Sequence, residues 1–92
     1  MPEFLVEVYY PRSAPASTVP GPAEVAAAAE QLSKEGLAAR LVRSLFVPDD
    51  ETCFYLFQAE SIEVVREAAR RSQLRCDRVA EVGSDWTPSG IL

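Results

Sequence analysis

Residues 40–82, RLVRSLFVPDDETCFYLFQAESIEVVREAARRSQLRCDRVAEV, decide the fold. Ala39 to Val47 is mostly apolar and β-prone, Pro48-Asp49-Asp50-Glu51 is turn chemistry, and Thr52 to Gln58 returns as a second strand. The pair is a hairpin. Ser61 then caps a helix that carries Glu63 in its first turn. Ile62, Val65, Ala68 and Ala69 make its apolar stripe, while Arg66, Arg70 and Arg71 face water and complement the helix dipole. Gln73 is an awkward stop, because glycine is the usual left-handed residue after a helix. Arg78 to Val82 is the closing strand.

Toward the N-terminus, Glu3 to Tyr10 reads as the first strand. Phe4, Val6, Val8 and Tyr10 share one face; Leu5, Glu7 and Tyr9 share the other. Pro11, Pro15 and Pro20 punctuate a loop over 11–21, of the kind that serves as a lid or partner contact or is simply mobile. Gly21-Pro22 opens the first helix, Val25, Ala28, Ala29 and Leu32 form its stripe, and Gly36 stops it. The order βαββαβ predicts an α+β, ferredoxin-like sandwich over 1–83, with both helices on one face of a four-stranded antiparallel sheet. Right-handed crossovers are expected to generate two parallel neighbours in it. Residues 84–92 form a tail whose Trp86, Ile91 and Leu92 should pack on something if ordered.

Ninety-two residues make one domain, and so small a chain recovers burial by pairing its open sheet face with a second copy. The formal charge of −5 argues against a phosphate backbone as partner. Tyr55 and Phe57 sit where an RNA-recognition motif stacks bases, but the glycine and basic context of that motif is missing. No apolar run approaches the ~20 residues of a membrane span. The N-terminus enters a strand rather than a secretion signal, which points to the cytoplasm. Cys53 and Cys76 then read as reduced structural thiols, with their pairing left open.

Strand alternation places the polar residues Glu7, Tyr9, Arg43, Tyr55 and Glu81 on the open face. Phe4, Val6, Val8, Phe46, Phe54, Leu56 and Val82 then form the core, and a bulge in the second strand would exchange Arg43 with Ser44. Glu7, Tyr9, Arg43, Ser44 and Tyr55 are the candidate binding set for a small aromatic or carboxylated ligand. As a cofactor-free enzyme of the dimeric α/β-barrel type, a monooxygenase or cyclase, the chain would use Glu7 as base. Arg43 and Tyr55 would then stabilise an oxyanion. The alternative is an interaction module whose Glu–Arg pair and tyrosine hydroxyls are satisfied at a dimer interface. A metal is the weaker alternative ligand for the open face, because the chain has no histidine and Glu7, Asp77, Glu81, Cys53 and Cys76 lack metal-ligand spacing; no residue is assigned to it and the cofactor stays unknown.

FLVEVY at 4–9, RSLFVPDDETCFYLFQA at 43–59 and REAARRSQLRCDRVAEV at 66–82 resemble a family of small bacterial ferredoxin-like proteins. That family is classed as a domain of unknown function and has a nickel-binding member. The resemblance spans roughly residues 1–83 and implies a homodimer. Asp77, Arg78 and Val79 keep the family pattern, whereas Gln73-Leu74-Arg75 stands where Gly-Leu-Pro is common. Tyr55 stands where relatives often carry histidine or cysteine, so the nickel site does not carry over.

Overall fold

The computed structural model describes residues 1–11, 13 and 20–83. Most of the proline-punctuated loop and the tail with Trp86 therefore lie outside the described residues. The elements run β1 (Glu3–Tyr9), α1 (Pro22–Lys34), β2 (Ala39–Val47), β3 (Thr52–Ala59), α2 (Ile62–Arg71) and β4 (Arg78–Val82). They build one sheet in the order β2-β3-β1-β4 with two helices, the ferredoxin-like arrangement. All three strand pairings are antiparallel. The expected parallel neighbours do not occur, because each crossover spans a strand: β3 lies between β1 and β2, and β1 lies between β3 and β4.

Local chemistry explains the boundaries. Gly21 is the N-cap of α1, and the Glu24 carboxylate reaches back to accept from its N–H at 2.5 Å. At the other end Gly36 takes a φ of +91°, and Leu37 N–H donates to the Leu32 carbonyl at 2.9 Å. Ser61 caps α2 as expected, its hydroxyl accepting from Val64 N–H at 3.3 Å. Between β2 and β3 a short 3₁₀ turn over Pro48–Asp50 is closed by Glu51 in the left-handed region.

The core lies between sheet and helices. Val25, Ala29 and Leu32 of α1 and Val65, Ala68 and Ala69 of α2 are buried against Phe4, Val6 and Val8 of β1 and against β3. From β3, however, the buried residues are Cys53, Tyr55, Phe57 and Ala59, not Phe54 and Leu56. The parity of β3 is thus opposite to the expected one. Both alternating sets of β3 are apolar, and register with β1 decides between them: Tyr55 sits opposite Val6, and Phe57 opposite Phe4. Glu81 and Val82 also exchange places, since Glu81 faces Phe4 and Val82 faces Glu3.

The anticipated bulge in β2 is present at Val42, between Leu41 and Arg43. It does not exchange Arg43 with Ser44. Instead it turns Leu41 to the helix side, opposite Phe57, and keeps Arg43 and Leu45 outside, opposite Leu56 and Phe54. Ser44 and Phe46 take the helix side, opposite Tyr55 and Cys53. Phe46 was expected in the core but is 48% exposed; its ring packs on Tyr10 with centroids 5.6 Å apart.

Candidate functional site

The five candidate binding residues divide between the two faces of the sheet. Glu7, Tyr9 and Arg43 are on the outer face, whereas Ser44 and Tyr55 are on the helix side. The proposed base and the two oxyanion groups are therefore not assembled within one chain. Glu7 pairs across the strands with Arg78 at 3.4 Å rather than with Arg43. Tyr9 is half exposed at the end of β1. Its N–H donates to the Asp77 carboxylate at 2.7 Å, and its carbonyl accepts from the Arg75 guanidinium at 2.8 Å. Sequence reasoning left out Arg75 as a clip on β1.

The outer face is not the polar cluster that was expected. Its centre is apolar: Leu5, Leu45, Phe54 and Leu56 surround a hollow of about 200 Å³ with the Arg43 side chain at its margin. Glu3, Glu7, Arg40 and Arg78 share that face around it.

On the helix side Tyr55 opens on a second hollow of about 300 Å³. Tyr10, Leu45, Phe46 and the segment from Pro20 to Pro22 line it together with Ser44, Cys53 and Tyr55. The site forms because β3 lifts Tyr55 toward the start of α1. The phenol is 3% exposed and donates to the Pro20 carbonyl at 3.4 Å, at the long limit of a hydrogen bond. Burial pushes the pKa of the Tyr55 phenol up to about 12, with the neighbouring Cys53 adding a smaller effect in the same direction. Burial likewise raises the Cys53 thiol above its ordinary value. Both groups are neutral at pH 7.

Cys53, Phe46 and Tyr10 were missed as site residues. No local signal marked them, because both alternating sets of β3 are apolar and alternation alone does not show which one is buried. A larger hollow of about 420 Å³ lies between α1 and β2 near Met1. There Ser33 is already bonded to both backbone atoms of Ala39, and Glu30 is paired with Lys34 at 3.6 Å.

The residues do not suit the nickel ion that the family resemblance implies. Among the described residues no three cysteine, aspartate or glutamate side chains converge as a ligand set. Cys53 and Tyr55, which both line the pocket, hold their protons more tightly than usual, which opposes ligation. Both cysteines are free, Cys53 buried and Cys76 partly so. Among the described residues no helix is long and apolar enough to cross a membrane. Comparison of the chain with protein-family models, with curated proteins and with solved structures finds no match.

Proposed function

We propose that this chain is a cytoplasmic small-molecule-binding protein that works as a homodimer, with its ligand held in the helix-side pocket. One observation carries the binding reading. Tyr55 places a neutral, almost fully buried phenol on the wall of a hollow of about 300 Å³ and, among the described residues, engages it through one long hydrogen bond. A buried hydroxyl so weakly engaged costs free energy that a better partner would recover. Aromatic walls with a few convergent polar atoms are the usual make-up of a ligand site, and this volume lies at the lower end of the usual range. The free thiols agree with a reducing compartment.

The test is a titration of ¹⁵N-labelled protein with a mixed fragment library of neutral, acidic and basic compounds. Binding in the pocket moves the amide signals of Ser44, Phe46, Cys53 and Tyr55 together. If no compound moves them, or if shifts cluster only on Leu5, Phe54 and Leu56, the pocket is not the binding site.

The apolar outer face favours a second reading, an interaction module whose sheet is wholly covered by a second copy. Leu45 is 47% exposed there beside Leu5, Phe54 and Leu56. An antiparallel sheet with apolar residues on both faces needs a cover on each. The family resemblance supports the same partner. Dimerisation would use the outer face and ligand binding the helix side, with Leu45 of the edge strand β2 lining both hollows.

A further inference from the structure

Resting on the pocket reading, we infer that the ligand is an uncharged planar aromatic molecule of one or two rings, with one hydrogen-bonding group directed at Tyr55. Three features of the site carry this. First, no charged side chain lines the hollow among the described residues: the polar atoms come from Ser44, Cys53, Tyr55 and backbone. A carboxylate or ammonium entering it would lose water and find no counter-ion among the described residues, a penalty far larger than any single hydrogen bond returns. The chain's net charge of −5 adds to the cost for an anion.

Second, the mouth is aromatic. Tyr10 and Phe46 are tilted by 56° with centroids 5.6 Å apart, and about half of Phe46 faces solvent although it stands on the helix side of the sheet. A tilted pair of rings, Phe46 half exposed and Tyr10 partly buried against the core, offers edge and face contacts to a third ring beside the hollow. Third, the most buried hydroxyl of its lining is the Tyr55 phenol, on a residue 3% exposed. The Tyr55 hydroxyl can accept from a ligand O–H or N–H while keeping its own proton on the Pro20 carbonyl, or give that proton to a ligand oxygen. A volume of about 300 Å³ limits the guest to a small ring system.

Matched compounds separate the possibilities. 2-Naphthol, naphthalene, 2-naphthoate and nickel(II) chloride are each titrated into the full chain, with amide shifts locating the site and their dependence on concentration giving Kd. 2-Naphthol should bind at Ser44, Phe46 and Tyr55, with 2-naphthoate at least about a hundredfold weaker, the scale of a buried unpaired charge. Tyr55→Phe should weaken 2-naphthol by about five- to tenfold and leave naphthalene unchanged, the loss of one hydrogen bond. Phe46→Ala, at an exposed position where the fold is not at stake, should weaken both. Equal or tighter binding of the naphthoate, or nickel-induced broadening centred on Ser44 and Tyr55, overturns the neutral-aromatic assignment while leaving the pocket as a binding site. An unchanged 2-naphthol affinity in Tyr55→Phe likewise overturns it. If none of the four reaches the pocket, the binding function itself fails with it.

Discussion

The ring of Tyr55 packs opposite Val6 while its hydroxyl reaches Pro20, so the domain buries a neutral phenol and penalises the phenolate. Its acidity moves from 10 in an unperturbed chain to about 12 in the fold. Below pH 10 the phenol is protonated in both states and pH has no leverage through it. From 10 to 12 the unfolded chain ionises first, so stability falls as pH rises. The loss is on the order of 2 kcal/mol across that window, from 1.4 kcal/mol per pH unit. Urea unfolding of wild type and Tyr55→Phe at pH 8 and 11 checks this: the wild type should lose distinctly more stability. Parallel losses would mean that the phenol ionises alike in both states. Burial raises the Cys53 and Cys76 thiols too, and both stay in the variant, so the comparison isolates Tyr55. Nothing local distinguishes Tyr55 from Phe54 as the buried residue. A tyrosine beside a phenylalanine carries its polar handle on either face, and alternation reports parity without saying which parity is inside.

At the scale of elements, α2 shows what a missing glycine costs. The helix ends in a six-to-one closure, with Leu74 N–H donating to the Ala69 carbonyl at 2.8 Å and Gln73 N–H to the Arg70 carbonyl at 3.1 Å. The residue at the turning point is Gln73, with φ of +60°. Its Cβ makes that conformation strained, and the closure holds because Leu74 is buried, 4% exposed. Gln73→Gly should therefore stabilise the domain by about 1 kcal/mol, raising Tm by roughly 4–8 °C in calorimetry. A lower Tm would show that glycine's freedom in the unfolded chain outweighs the strain. Beside this closure Arg71 reaches across to Glu35 at the end of α1 with contacts of 2.6 and 2.9 Å, and also meets Glu67 at 2.8 Å. The two arginines hold the Glu67 carboxyl down at about 2, chiefly through the Arg70 contacts. These groups are exposed, so the tie sets helix register more than stability. Element ends were largely legible in the sequence, since Gly36, Ser61 and the acidic turn act through their own backbone and immediate neighbours. The bulge at Val42 was legible as an option only, because Phe57 and Leu56 of β3 select it.

For the whole molecule, the outer sheet face carries the largest consequence. A sheet of four strands with Leu5, Leu45, Phe54 and Leu56 covered by no described element is half of a sandwich. Arg40 and Arg43 on the β2 edge and Glu3 and Glu7 on β1 give its rim both signs, which a twofold-related copy can match. A stable pair buries about 800 Å² on each partner. Sedimentation equilibrium at micromolar concentration should accordingly find a dimer. Phe54→Glu should yield a folded monomer with unchanged circular dichroism, because Phe54 takes no part in the core between sheet and helices. A monomeric wild type would leave the apolar face unexplained and remove the homodimer. The variant also tests independence of the two faces: its pocket should still bind 2-naphthol.

The chain by itself determined the elements, their order and the ferredoxin-like topology. Caps, turns and periodicity act over a few residues and leave a mark in the local sequence. It also carried every residue of the pocket and of the outer face, but not their grouping. Which parity of β3 turns inward depends on register against β1 and on the shape of two helices set far away in sequence. Tertiary structure therefore separated Tyr55 and Ser44 from Glu7, Tyr9 and Arg43, replaced one mixed polar cluster by a neutral pocket on one side and an apolar face on the other, and so changed the chemistry that the same residues can perform.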